Sequence, residues 1–75
     1  MIKEHTSVIL TRDLPEERLL QGDVGVVVHG YGDGEAYEVE FMTLSGSTVS
    51  VCMLEAADVQ VVNSNMMPHA RKMAV

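Results

Sequence analysis

The feature that most constrains the fold is a pair of strand-like segments joined by glycines, "VGVVVHGY" (24–31) and "AYEVEFM" (36–42). The residues between them include "GDG" (32–34), which favours a hairpin turn because its glycines accept positive φ angles. A dinucleotide-binding glycine motif would need a helix after the glycines, whereas a strand pattern follows here. We therefore predict a β-hairpin, with Gly25 marking a bulge or a close backbone contact inside its first strand.

The second segment of this hairpin alternates with a period of two. Tyr37, Val39 and Phe41 point one way, and Glu38 and Glu40 point the other way. Such alternation is typical of an antiparallel strand with one buried face. The two glutamates are thus expected on a solvated strand face, where His29 would lie beside one of them across the hairpin.

The rest of the chain up to residue 62 continues this all-β pattern. Leucines 14, 19 and 20 are expected to pin a long first loop (12–23) onto the body, and "EAAD" (55–58) predicts one turn of 3₁₀ helix. Three further short strands are predicted, at 7–11, 48–54 and 59–62. The predicted fold is a five-stranded SH3-like barrel with a long first loop, a 3₁₀ turn before the last strand and a C-terminal extension.

Charge divides the 75-residue chain into two parts. Residues 1–62 hold all 11 acidic residues and three of the five basic ones, a net charge of −8. Residues 63–75 hold the other two, Arg71 and Lys72, a net charge of +2. We predict a barrel domain over 1–62 and a tail over 63–75, either a short helix or an extended segment, that docks on the barrel or on a neighbouring subunit.

Composition argues against several classes of function. The acidic body disfavours nucleic-acid binding, because it repels phosphate groups. Cys52 is the only cysteine, so no internal disulfide is expected. The N-terminal sequence lacks the pattern of a signal peptide, and no apolar run approaches the roughly 20 residues of a membrane helix. These features predict a cytoplasmic protein that does not engage a membrane.

No catalytic or metal-binding constellation stands out. The three histidines are scattered, and structural zinc needs four close nitrogen or sulfur ligands. Glu38 and Glu40 lack a signal for the desolvation that a catalytic carboxylate pair requires. Cys52 lies in a strand, where packing is the usual role of a lone cysteine. We therefore expect no enzyme activity, no cofactor, no metal and no small-molecule substrate.

The stretch "LTRDLPEERLLQGDVGVVVHGYGDGEAYEVEF" and the later "LEAADV" resemble a family of short bacterial proteins known as a domain of unknown function, number 4926 of that series. The resemblance covers residues 1–62 and implies a barrel without an assigned activity. A looser likeness, carried by "GDVGVVV", is to SH3-like domains of the KOW type and of the nitrile hydratase β subunit. KOW domains often bind RNA through basic surfaces, and this chain is acidic instead.

The expected function is that of a non-enzymatic protein-interaction module that forms a homo-oligomer. One alternative is an acidic neutralising partner, resembling an antitoxin, of a protein encoded beside it. A second alternative is a nucleic-acid-binding module like KOW domains. The expected interaction surface combines apolar residues of the loop and tail with strand carboxylates: Leu19, Leu20, Glu38, Glu40, Met66, Met67 and Met73.

Overall fold

A computed structural model of the protein describes residues 1–73, and its architecture is all-β. Its five strands are β1 (Ser7–Leu10), β2 (Val24–Tyr31), β3 (Ala36–Met42), β4 (Thr48–Glu55) and β5 (Val59–Val61). They form one antiparallel sheet in the order β4-β3-β2-β1-β5. The predicted all-β class with five strands is confirmed, whereas closure into an SH3-like barrel stays a prediction, because the edge strands β4 and β5 do not pair with each other among residues 1–73. Residues 1–62 are called the barrel. The strand ends differ by at most one residue from those expected.

The central hairpin of β2 and β3 is also confirmed. Gly32 and Gly34, in the turn, have φ angles of 61° and 88°, a region that glycine enters without steric cost. His29 pairs with Glu38 across the two strands, as the alternation predicts. This hairpin therefore fixes which side chains of β3 are buried.

Gly25 is required by a close backbone approach. A Cβ atom at this position would lie 2.6 Å from Cγ1 of Val39 and 2.8 Å from Cε1 of Phe41. The bulge in β2 lies elsewhere, because the register shifts between Val27 and His29. Of the two roles expected for Gly25, the close contact is therefore the one observed.

One face of the sheet carries the core, whose buried residues are Val8, Leu10, Leu14, Leu19, Val27, Tyr37, Val39, Phe41, Leu54 and Val59. No α-helix exists among residues 1–73 to cover this face, so the sheet and its loops enclose it. The backbone N–H groups of Leu14 and Leu19 each donate to the carbonyl of the other residue, and both side chains belong to the core. The expectation that Leu20 also pins the loop is wrong, since Leu20 is 45% exposed.

Two 3₁₀ turns shape the connections of the sheet. Ala56–Asp58 forms the turn expected before the last strand, and the side chains of Glu55 and Asp58 cap it reciprocally. Pro15–Glu17 forms a second turn inside the long first loop. The turn before β5 places that strand beside β1, so the first and last strands are neighbours.

The tail contains no helix over residues 63–73, which leaves the extended alternative. A single turn, in which the N–H of Met66 donates to the carbonyl of Asn63, precedes a run from Met67 to Met73 without regular secondary structure. Residues 74 and 75 of the predicted tail lie outside the described residues. None of the described segments is a helix of the length and apolarity needed to span a membrane.

Candidate protein-interaction groove

The tail returns to the barrel and is anchored there by Arg71. Its Nε donates to Oδ1 of Asp23 at 2.9 Å, and its Nη2 donates to Oδ2 at 2.6 Å. The side chains of Arg71 and Asp23 are only 28% and 20% exposed. This two-bond, partly buried geometry orients the guanidinium as well as attracting its charge.

Asp23 is positioned by the turn that leads into β2. Its N–H donates to the carbonyl of Leu20 at 3.0 Å, and its Oδ2 accepts from the N–H of Leu20 at 2.8 Å. Gly22 has a φ of 92° and makes this tight reversal possible. The carboxylate is therefore held at the edge of the barrel by the loop itself.

A third acceptor for the guanidinium comes from Arg18. Its carbonyl oxygen lies 3.1 Å from Nη2 of Arg71. Arg18 follows the 3₁₀ turn of the first loop and adopts a left-handed conformation, with φ 60° and ψ 33°. Non-glycine residues seldom take this conformation, and the surrounding paired loop holds Arg18 in it. The turn thereby directs a backbone acceptor towards the tail.

Between the tail and the barrel runs an open groove of about 720 Å³. Its barrel wall is mainly apolar and comprises Leu19, Asp23, Val24, Phe41, Met42, Thr43, Leu44 and Val49. Its other wall is the tail from Pro68 to Met73. The volume of the groove falls in the range of ligand pockets.

Three exposed apolar side chains line the barrel wall of this groove. Val24 and Met42 remain exposed there, and Leu44, in the turn between β3 and β4, is 100% exposed. A patch of exposed apolar residues on a small domain is typical of a site of interaction. The barrel wall is therefore mainly apolar, and Asp23 is its one charged residue among the described residues.

The electrostatics of Asp23 favour its charged form. Partial burial by itself raises the pKa of this carboxyl group. The hydrogen bonds from the Arg71 side chain and the Leu20 N–H, together with the positive charge of Arg71, outweigh that effect and leave the pKa below its ordinary value of 3.8. Asp23 is thus a carboxylate that stays ionised opposite a cationic ligand.

The apolar residues expected to form an interaction surface fall into two groups. Leu19 is buried in the core and its side chain reaches the groove, where half-buried Met73 forms part of the opposite wall. Leu20 is exposed on the loop. Met66 is half-buried, and Met67, which is 90% exposed, contributes to neither wall of the groove. The structure therefore brings Leu19 and Met73 to one site.

Glu38 and Glu40, the expected acidic part of that surface, lie away from the groove walls. They are half-buried on the outer face of β3, opposite Met53 and Val51 of β4. Glu40 accepts a hydrogen bond of 2.7 Å from Oγ1 of Thr48. The carboxylate that receives the tail is instead Asp23. The charge difference between body and tail is the sequence signal for this contact, whereas the alternation of Glu38 and Glu40 indicates only the strand face on which they lie.

A polar cluster that the sequence did not reveal surrounds Cys52. The hydroxyl of Ser50 donates to the carboxylate of Glu17, and Oγ of Ser50 lies 3.6 Å from Sγ of Cys52. Burial raises the pKa of the Cys52 thiol, the hydrogen bond with Ser50 lowers it, and the charge of Glu17 raises it again, so the net pKa is above its ordinary value. A thiol in this environment is neutral and weakly nucleophilic.

Among residues 1–73, no group of three or more histidine, cysteine, aspartate or glutamate side chains is arranged to hold a metal ion. His29 instead packs edge-on against Tyr31, with ring centroids 4.5 Å apart.

A family model matches residues 4–61 of the chain. The chain belongs to the family described as Domain of unknown function (DUF4926). Neither the curated proteins nor the solved structures contain a match to the chain. The likeness to KOW-type and nitrile hydratase β-subunit domains stays a prediction.

Only one of the two walls of the groove lies within the residues that the DUF4926 model matches. Arg18, Asp23 and the apolar barrel wall all lie within the matched residues. The tail wall, from Pro68 to Met73, lies beyond them. The acceptor side of the groove is therefore part of the DUF4926 domain, and the tail is an addition to it.

Proposed function

We propose that this DUF4926 chain is a non-enzymatic protein-interaction module whose binding site is the groove. The observation that carries the proposal is the docking of a basic segment through Arg71 on an acidic domain. The barrel thus already binds one stretch of polypeptide through a charged pair and a backbone acceptor. A segment from another molecule with the same chemistry fits the same wall.

The apolar wall supports a protein ligand rather than a nucleic acid. Nucleic-acid sites carry positive potential along the phosphate path, whereas residues 1–62 have a net charge of −8. The raised pKa of Cys52 supports the non-enzymatic part of the proposal, because an activated thiol requires the opposite shift.

The proposed partner is a second copy of the chain, whose tail replaces the first copy's own tail. Among residues 1–73, the ten core residues all lie between Val8 and Val59, so this core does not depend on which molecule supplies the tail. The connection at 63–67 is largely exposed and would allow the tail to leave. Exchange of identical segments is a low-cost route to a homo-oligomer.

Mixing two full-length variants tests this proposal. Asp23→Lys removes the carboxylate acceptor of the groove and retains the native tail. Arg71→Glu removes the guanidinium of the tail and retains the native groove. Each variant alone should sediment as a monomer. Their mixture should form a species of twice that mass, since one intact groove meets one intact tail. A control mixture of two tail-disabled chains, Arg71→Glu and Arg71→Gln, should remain monomeric.

Two results would count against this proposal. If the mixture stays monomeric while the wild-type chain is oligomeric, the tail does not mediate assembly. If the wild-type chain is monomeric at every concentration, the chain does not self-associate, and the groove would bind a different protein.

A further inference from the structure

We infer that the groove selects an extended protein segment in which an arginine, and not a lysine, follows large apolar side chains. This inference rests on the proposed function and names the chemistry of its partner. The specificity-determining groups are the carboxylate of Asp23 and the carbonyl of Arg18. The apolar barrel wall beside them sets the preference for the residues that precede the arginine.

The geometry of the anchor matches a guanidinium. Nε and Nη2 of Arg71 reach the two oxygens of Asp23, and Nη2 also reaches the carbonyl of Arg18. These acceptors are arranged for donors that lie in one plane at a fixed spacing, which a guanidinium provides. A lysine ammonium is a single point of charge on a flexible stem and does not satisfy both carboxylate oxygens in this way.

The acceptors are held by barrel contacts that do not involve the tail. The N–H of Leu20 fixes the Asp23 carboxylate, and the two backbone hydrogen bonds between Leu14 and Leu19 hold the loop that presents Arg18. Such preorganisation lowers the entropic cost of binding a ligand from outside. The site is therefore formed before an arginine arrives.

The protein's own tail fills the groove poorly. Pro68, His69 and Ala70 lie along it but remain exposed, and about 720 Å³ of open space separates the two walls. On the opposite wall, Met42 and Leu44 are exposed as well. A segment with larger apolar side chains before its arginine would bury more of this wall, because burial of apolar area is favourable. The barrel wall thus has room for larger apolar side chains than the tail supplies at positions 68–70.

Labelled peptides added to the full-length Arg71→Gln chain test the inference. This variant lacks the anchor of its own tail, so the groove is open to a peptide from solution. Three fluorescein-labelled probes are compared by anisotropy: residues 63–73, the same peptide with Arg71→Lys, and the same peptide with Ala70→Leu. The lysine peptide should bind at least about fivefold more weakly than the native one. The Ala70→Leu peptide should bind at least about threefold more tightly.

The wild-type chain provides the matched control. Its own tail occupies the groove at a high effective concentration, so the native probe should bind it more weakly than it binds Arg71→Gln. In a double variant, Asp23→Asn with Arg71→Gln, the difference between the arginine and lysine probes should disappear.

The possible failures are distinct. Equal affinity of the arginine and lysine probes overturns the arginine selectivity while leaving a groove that binds protein segments. An Ala70→Leu probe that binds no more tightly than the native one overturns the apolar preference. Absence of binding by all three probes overturns the proposed function itself.

Discussion

Arg71 and Asp23 are 48 residues apart in the sequence, and their side chains meet through two hydrogen bonds of 2.9 Å and 2.6 Å. This pair joins the tail to the DUF4926 domain. It also places a carboxylate in the mainly apolar barrel wall of the groove. The consequences of the pair for tail order, pH response and binding are measurable separately.

Replacing Arg71 with glutamine should release the tail while leaving the barrel folded. No core residue lies in the tail up to Met73, where the described residues end, so the free energy of unfolding should change by less than about 1 kcal/mol. Amide ¹⁵N relaxation should show increased motion over residues 66–73. Lys72→Gln is the matched control, since Lys72 forms no ion pair within the described residues, and it should leave tail order unchanged. A tail that moves equally in both variants would contradict the anchoring role of Arg71.

Acid should release the tail in the same way. Because the pKa of Asp23 is lowered in the folded protein, the pair stabilises docking fully above the ordinary value of 3.8 and loses that effect as pH falls through the lowered pKa. Amide shifts of residues 68–73 should therefore change at a midpoint below pH 3.8.

The Arg71→Gln variant is the control for this titration. The pKa of Asp58 is also lowered, chiefly by its hydrogen bond from Arg12, so acid affects a second pair in both proteins. The change in the tail signals should be absent from the variant, while the change near Asp58 remains. A tail transition in the variant as well would assign the pH response to another group.

Gly25→Ala should destabilise the barrel. The added methyl would meet Val39 at 2.6 Å and Phe41 at 2.8 Å in the core. Overpacking of this kind costs about 1–3 kcal/mol. Denaturant unfolding should show the loss directly. Gly30→Ala is the control, because its methyl would lie 3.6 Å from the Tyr37 ring, an ordinary contact, and should change stability by less than about 1 kcal/mol. Equal stabilities of the two variants would refute the close approach at Gly25.

Leu44→Ser should weaken peptide binding without affecting stability. Leu44 is 100% exposed, so its replacement removes no buried contact from the folded chain. It lines the groove and would be covered by a bound segment. Val51→Ser is the matched control, because Val51 is an exposed residue of β4 outside the groove walls. In the Arg71→Gln background, only Leu44→Ser should raise the dissociation constant of the 63–73 peptide.

Much of the sheet was predictable because its strands follow simple local rules. The alternation of Tyr37, Val39 and Phe41 identifies the buried face of β3, and all three residues are in the core. Glycines with positive φ mark the hairpin turn at 32–34. Each of these patterns spans only a few residues, so the strands and the turn can be predicted without knowledge of contacts between distant segments.

The candidate site was only partly predictable because it depends on contacts between distant segments. The sequence suggested Leu19 and Met73, and their positions on opposite walls of the groove agree with a shared surface. It did not identify Asp23 or Arg18, since one is a turn residue and the other contributes only a backbone carbonyl. The choice of Glu38 and Glu40 followed from strand periodicity, which carries no information about where the tail docks.

The most direct measurement is a methyl and amide NMR comparison of the wild-type chain with Arg71→Gln. Docking of the tail in the groove predicts shift changes for the methyls of Leu19, Val24 and Val49 and for the amides of Leu20 and Asp23. The methyls of Val8 and Val27, which are buried away from the groove, should keep their positions. Groove methyls that do not shift, or shifts spread evenly through the core, would contradict a tail that occupies this site.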